Sequence, residues 1–390
     1  MRRTASDEKR AFLSKSRLIV TPPDVSSAPS SLELDERILA FIESADPNEI
    51  EFDRLALDVF AYQYVENTPY RRYCERFGRR PSNVRRWAEI PAIPAAAFAD
   101  VRLACFPPER ATLRFVSSGT TRATRSQHEL ENSTLYDASL LAHFKRCVLP
   151  DANTIDVVAL SPAFDDARES SLAYMLSLIS RTFGTPNDGF YVKDNKLDFD
   201  GAARALREAK APVLVAGTAF AFVHFFDRCA GEGVRFALPS GSRVIETGGF
   251  KGKSREVARD ELYAWFTQPL GVPRDMCVSE YGMCELGSQW YDANLADRLA
   301  KRAPRRNLKI GPSWTRTLIV DRVTAKPVPD AEPGLLQVFD LSNRGSVAAL
   351  LTGDLARRLP GGIELLGRAP GELPKGCSAA IDAALSGHAD

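Results

Sequence analysis

The chain of 390 residues has no excess of either charge, with 51 Lys and Arg against 50 Asp and Glu and a formal net charge of +1. A general electrostatic footprint for nucleic acid is therefore not expected. No apolar run approaches the roughly 18 residues that a membrane helix requires, so no membrane span is expected either. The N-terminus carries Arg2 and Arg3 but continues Ser6-Asp7-Glu8-Lys9-Arg10, without the apolar centre of a secretory signal. Together these absences predict a soluble, cytoplasmic protein. Cysteine is scarce: the seven residues at 74, 105, 147, 229, 277, 284 and 377 are odd in number and include no Cys-x-x-Cys pair. Reduced thiols and no zinc site follow. Internal repeats are also lacking.

What is present has a globular balance, with hydrophobic residues at 44% and charged residues at 26%. The length allows two or three domains, or one large α/β domain with an appendage. Residues 1–31 mix charges with Pro22-Pro23, Ser26-Ser27 and Ser30-Ser31 and read as a mobile leader. From Leu32 to about residue 100 the apolar spacing is helical, through Leu39, Phe41 and Ile42 and then Leu55, Leu57, Phe60 and Tyr64. Short aliphatic runs then alternate with longer helical patterns: Ile155 to Leu160, Pro212 to Ala216, Arg243 to Thr247 and Met276 to Ser279. That alternation predicts an α/β fold with a mainly parallel sheet, helices on its faces and a helical N-terminal flank. Beyond residue 310, Thr317 to Val320 and Gly334 to Phe339 flank Lys326-Pro327-Val328-Pro329-Asp330, the pattern of an antiparallel β-hairpin.

Four short motifs carry chemistry. Ser117-Ser118-Gly119-Thr120-Thr121 follows a candidate strand, Leu113 to Val116. Its hydroxyls and backbone N–H groups suit phosphate oxygens, although the same residues also make ordinary polar turns. Thr247-Gly248-Gly249-Phe250-Lys251-Gly252-Lys253-Ser254 misses the nucleotide P-loop spacing by one residue, which excludes a Walker-type site. Its glycines still let backbone approach a flat ligand, or simply make a tight turn. Tyr281-Gly282-Met283-Cys284-Glu285 follows a strand, where a tyrosine can stack on a base and a carboxylate can hold Mg²⁺. Thr352-Gly353-Asp354 follows the apolar Val347 to Leu351 and places a carboxylate where it can accept ribose hydroxyl protons. By default each is a turn or a surface acid.

In order, and with Gly367-Arg368 added, these motifs resemble the signature of the adenylate-forming acyl ligase superfamily. Within it, Tyr281-Gly282-Met283, Leu286-Gly287-Ser288-Gln289-Trp290-Tyr291 and the Thr247 to Gly252 turn are similar to LuxE-type acyl-protein synthetases, relatives of the phenylacetate-CoA ligases. The likeness runs from about residue 90 to the end. It implies an adenylation domain over 32–366 and a short C-terminal segment over 367–390. It also implies that ATP activates a carboxylic acid, in this family a fatty acid, and that the acyl adenylate passes its acyl group to a thiol. By position, Ser117, Ser118, Gly119, Thr120 and Thr121 would line the phosphates, while Gly248 and Gly249 border the adenine. Tyr281, followed by Gly282, would stack on the base; Glu285 would hold Mg²⁺, Asp354 the ribose, and Arg368 the ribose or phosphate. Only residues 369–390 follow Arg368, so the tail is expected to be truncated relative to the mobile C-terminal domain, with its lysine, of larger relatives.

The chain departs from the family pattern at Arg122, where glycine is usual, and at Cys284, where threonine is usual. Arg122 limits backbone freedom but offers a guanidinium; Cys284 replaces a hydroxyl contact by a weak S–H donor. In LuxE-type synthetases a cysteine near the C-terminus becomes acylated, which points to Cys377 as acyl acceptor, with a reductase or carrier protein as onward partner. Lys375 and a helix starting at Ser378 would lower its thiol pKa. Rival readings are ligation to coenzyme A or to a carrier-protein pantetheine, and a nucleotide-binding subunit without chemistry. Phe220 to Phe226 reads as a buried helix or an acyl-pocket wall, His224 within it as a core histidine, and His128 as surface-exposed.

Overall fold

The computed structural model describes residues 29–117, 125–248 and 257–369. The N-terminal leader expected before Leu32 lies almost wholly outside the described residues. Where description begins, Ser30 caps α1 (Ser31–Glu43) by accepting from the Glu33 N–H. Asn48 caps α2 (Glu49–Glu66) in the same way. Asn67 caps α3 (Thr68–Arg76), which has proline in its first turn. A cap of this kind contributes about 1 kcal/mol, so the helices hold together chiefly by burying Leu34, Ile38, Phe41, Phe52, Leu55 and Phe60. This is the helical flank that the apolar spacing predicts.

After β1 (Ile93–Pro94) comes a separate hairpin of β2 (Leu113–Val116) and β3 (Gln127–Leu130). The α/β part follows as α4 (Thr134–Cys147), β4 (Asp156–Leu160), α5 (Ser171–Phe183), β5 (Gly189–Phe190), a small β6 (Val192–Lys193) and β7 (Lys196–Leu197) pair, and α6 (Phe199–Glu208). It continues as β8 (Val213–Thr218), α7 (Ala219–Glu232), β9 (Arg243–Thr247), α8 (Arg259–Thr267) and β10 (Cys277–Tyr281). Strands β4 and β9 are buried at every residue, as a parallel sheet covered on both faces demands.

The sequence then adds β11 (Trp290–Asp292), α9 (Asn294–Leu299), β12 (Lys309–Ile310), β13 (Thr315–Val320), β14 (Gly334–Asp340), β15 (Ala349–Leu359) and β16 (Gly362–Arg368). All except β2, β3, β6 and β7 join one twelve-stranded sheet, in the order β13-β14-β15-β16-β12-β11-β10-β9-β8-β4-β5, with β1 beside β15. From β5 to β10 neighbouring strands are parallel; from β10 through β11 and β12 to β13 they are antiparallel. The predicted β13–β14 hairpin is present and extends through β15 and β16. No helix among the described residues is long and apolar enough to cross a membrane.

Two histidines differ from expectation. His224 lies on the solvent side of α7, edge-on to Phe220, because Phe222, Val223, Phe225 and Phe226 take the buried stripe. His128 is fully buried instead of exposed, because β3 turns it inward against Phe98.

The flank is tied to the sheet by the segment between β14 and β15. Arg344 donates to both Asp35 carboxylate oxygens, over 2.7 and 2.5 Å. The Gln63 amide donates to the carbonyls of Asn343 and Arg344 and accepts from the Ala348 N–H. Ser346 Oγ donates to Leu103 O over 2.6 Å, and Cys105 N donates to Gly345 O.

A second polar cluster lies under β9. Lys309 Nζ is 2.9 Å from Asp292 Oδ1 and donates to Ser279 O, while Arg259 donates to Asp292 Oδ2. Burial pushes the nearby Glu246 carboxyl up from near 4.5 to about 7, with Lys309 and Arg259 only partly opposing it. A carboxyl raised on folding favours the fold while protonated, so its contribution is present below the unfolded value and is lost as pH rises through about 7. Glu246→Gln is expected to remove that loss. Between about pH 5 and about pH 8, denaturant titrations of the wild type should lose on the order of 2 kcal/mol more stability than the variant. Equal slopes would show that Glu246 does not change its protonation over this window.

Candidate active site

Strands β8, β9 and β10 are parallel and paired so that Thr218 lies opposite Thr247, and Thr247 opposite Glu280. Their C-terminal ends therefore meet at one edge, where open α/β sheets bind ligands. Beyond Thr247 the chain turns at Gly248, whose φ of +71° is in the left-handed region that glycine enters without strain. Gly249, also expected to border the adenine, lies outside the described residues.

The β2–β3 hairpin reaches toward the same edge. Ser117 N donates to Ser126 O, and the Ser117 hydroxyl accepts from Ser126 N over 3.0 Å. Ser117 and Ser126 thus pair as a neck at the end of the hairpin. Ser118, Gly119, Thr120, Thr121 and Arg122 lie outside the described residues. Just past the neck, His128 Nδ1 is 2.7 Å from the Cys284 carbonyl. A carbonyl only accepts, so Nδ1 carries the proton; burial pushes the imidazole down to about 4, which leaves it neutral.

Tyr281, Asp354 and Arg368 are brought together by strand register. Asp354 on β15 lies directly opposite Arg368 on β16, and Gly353 beside them has a φ of +79°. The Tyr281 hydroxyl donates to Asp354 Oδ2 over 2.8 Å, and Arg368 Nη1 donates to Oδ1 over 3.0 Å. Burial, reinforced by the Asp354 charge, holds the Tyr281 phenol well above its ordinary value, so it stays a donor. Its ring stands edge-on to Trp290.

Glu285 is 5% exposed and takes a hydrogen bond at Oε2 from the Cys284 thiol, 3.1 Å away. The thiol is thus directed at the carboxylate beside it. Magnesium uses one or two carboxylates and completes its shell with phosphate and water oxygens. Among the described residues no group of three or more His, Cys, Asp or Glu is placed to cage a metal. A single carboxylate at the strand-end edge therefore fits an ion shared with a polyphosphate.

Motif residues make further contacts at the site, and Asp340 and Asn343 join them from outside the motifs. Thr247 Oγ1 donates to Glu280 Oε2, joining β9 to β10. The Glu280 carboxylate also lies close over Gly282, where a Cβ would come within 2.5 Å of Oε1. Gln289 donates to the Tyr136 hydroxyl. Asp340 and Asn343 hold the backbone behind Glu285. An acid ending the apolar run Leu335 to Phe339 was the available signal for Asp340; Asn343 sits in an unremarkable polar turn. Phe220 to Phe226 lies within α7, with Phe222, Val223, Phe225 and Phe226 buried. Cys377 and Lys375 lie outside the described residues.

Comparison with known proteins identifies the fold and the family of the chain. Its structure resembles 2-hydroxyisobutyryl-CoA ligase, solved in an open conformation with its acyl adenylate and CoA, with a TM-score of 0.59 at 15% identity, covering 89% of this chain and 80% of that one. That likeness shows the fold of an adenylate-forming ligase. Two relatives, each named long-chain-fatty-acid–luciferin-component ligase, are 22% identical. The Aliivibrio fischeri protein aligns over 311 residues, 78% of each chain, and the Vibrio harveyi protein over 353 residues, 86% of this chain and 89% of that one. The model of the acyl-protein synthetase family LuxE matches residues 22–386, and the chain belongs to that family.

Proposed function

We propose that this acyl-protein synthetase uses ATP to activate a carboxylic acid of the fatty class and then transfers the acyl group through Cys377 to a partner protein. The observation that carries the reading is the Tyr281–Asp354–Arg368 hydrogen-bonded chain beside Glu285, at the C-terminal edge of the parallel strands. The names of the two relatives, which couple a long-chain fatty acid to a luciferin component, support the acid's class.

In the first step a carboxylate oxygen of the acid attacks the α-phosphorus of ATP. A P–O bond forms to the acid, the P–O bond to the β-phosphate breaks, and pyrophosphate leaves. Asp354 retains lone pairs beyond those used by Tyr281 and Arg368, enough to accept both ribose hydroxyls. Tyr281, with its hydroxyl tied down, offers a fixed ring to the base, and Arg368 places positive charge beside the nucleotide. Glu285 would hold Mg²⁺, which when bound screens the departing phosphate charge. In the second step the Cys377 sulfur attacks the acyl carbon, the C–O bond to AMP breaks, and the thiol proton passes to solvent. A reductase or carrier protein would then collect the acyl group. The 367–390 segment thus serves as the carrier of the acceptor thiol, and 32–366 as the adenylating body.

Acid-dependent exchange of pyrophosphate into ATP, run over fatty, aryl and short acids, tests the first step. Exchange is expected with fatty acids; a chain silent with every acid would be a nucleotide-binding subunit. Glu285→Gln should lower exchange on the order of a hundredfold while the fold persists, because a neutral amide cannot offset phosphate-bound cation charge. Near-normal exchange would remove Glu285 from the site.

Asp354→Ala should weaken ATP binding by about 1.5–3 kcal/mol, the range for a hydrogen bond to a charged group. Unchanged calorimetric affinity would count against the ribose role.

Cys377→Ser should still release pyrophosphate but gain no acyl mass, since an alcohol is a far poorer nucleophile than a thiolate. Intact-mass spectrometry after incubation with ATP, Mg²⁺ and the preferred acid reads this, with hydroxylamine testing for a thioester. Equal acyl mass on both proteins would make Cys377 a bystander and favour transfer to coenzyme A or a carrier.

A further inference from the structure

A carboxylate that holds a cation is only as well placed as the backbone beneath it. Each peptide unit is planar, so fixing the two planes that flank a residue fixes its φ and ψ and the direction of its Cα–Cβ bond. Both planes flanking Glu285 are held from outside the loop. The plane before it is held at the Cys284 carbonyl by His128 Nδ1. The plane after it is held at the Glu285 carbonyl by Asn343 Nδ2, 2.8 Å away.

Asn343 is 1% exposed. It is itself fixed from the helical flank, where Gln63 Nε2 donates to its carbonyl over 2.9 Å. The two loops approach so closely that a Cβ on Gly287 would lie 2.9 Å from Asn343 Oδ1 and nearer still to Ser342 Oγ. The contact therefore leaves little room for the Glu285 backbone to shift.

We propose that Asn343 is a positioning residue for Glu285, supported by Gln63, so that the N-terminal helices set the geometry of the cation-holding carboxylate. This rests on the reading of Glu285 as the Mg²⁺ ligand. Groups that orient a metal ligand from behind typically change metal affinity by about 10–100-fold when altered. Asn343→Asp keeps the shape and removes the donor. Gln63→Glu loses the donors to Asn343 and Arg344 while keeping the acceptor for Ala348 N.

The test is a Mn²⁺ titration of the full chain with a non-hydrolysable ATP analogue, followed by electron paramagnetic resonance, which needs neither acid nor turnover. Asn343→Asp is expected to weaken Mn²⁺ binding at least about tenfold, and Gln63→Glu to weaken it in the same sense by less. Affinity for the analogue without metal should stay at the wild-type value in both. Unchanged Mn²⁺ affinity in a folded variant overturns the proposal. So does a loss that falls in step with metal-free nucleotide affinity and melting temperature, because that marks a general structural role. If Asn343→Asp does not fold, Gln63→Glu decides alone by the same criteria. Glu285→Gln in the same titration separates the two levels: wild-type Mn²⁺ binding there would refute Glu285 as the ligand, whereas a loss there without one in Asn343→Asp would refute only the positioning role.

Discussion

The site depends on a fully buried carboxylate, Asp340, at the end of β14. Asp340 Oδ1 accepts from Ser288 Oγ, from Ser342 N and from Ser342 Oγ, and Oδ2 accepts from Gly287 N. Burial raises its pKa, and these donors work against that rise. An anion removed from water is tolerated only where such donors are supplied in place of solvent. Here they come from the loop that carries Glu285 and from the loop that carries Asn343, so satisfying one charge fastens the two loops together. Ser139 and Trp314 extend the network, with Trp314 Nε1 donating to Ser139 Oγ over 2.8 Å. Helix α4, the turn before β13 and the site loop therefore share one polar seam.

That seam lies where the sheet changes direction. Parallel strands end at β10, and β11 returns antiparallel, with Tyr281 opposite Trp290. The chain between them must leave the sheet edge and come back within a few residues, and its backbone groups need partners that no ladder provides. Side chains supply them: His128 for Cys284, Asn343 for Glu285 and Asp340 for Gly287. Three backbone groups of the irregular loop are thus held individually, and restraint of this kind is what a site that must hold charges in place requires.

How much of this was legible in the sequence depended on the range of the interaction. The strands at Arg243 to Thr247 and after Met276 were readable because continuous apolar runs register burial on both faces. The β13–β14 hairpin was readable from its turn chemistry. Tyr281, Glu285, Asp354 and Arg368 were legible as motifs, and the structure brings Tyr281, Asp354 and Arg368 into hydrogen-bond contact. What local pattern does not encode is which strand lies opposite which. The extension of the hairpin through β15 and β16, and the pairing of Asp354 with Arg368, are properties of register. His128 illustrates the same limit: its alternation within β3 is short, and only the packing of Phe98 and the loop at Cys284 decides that it faces inward.

The helical flank shows why local reading also understates the contacts an element makes. Its apolar spacing accounts for a packed helical unit, and Leu34, Phe41, Phe52 and Phe60 make that unit. Asp35 and Gln63, however, spend their side chains on the segment at Asn343 and Arg344, far away in sequence. A buried ion pair such as Asp35–Arg344 gives little net stability over an apolar contact of the same size, but removing one partner leaves a stranded charge. Its effect is to penalise displacement of the segment rather than to add much to the total. The same holds for the amide of Gln63, whose two ends meet complementary backbone groups only in one position of the chain. The polar contacts between flank and sheet thus specify position, while the apolar contacts supply the energy that keeps them assembled.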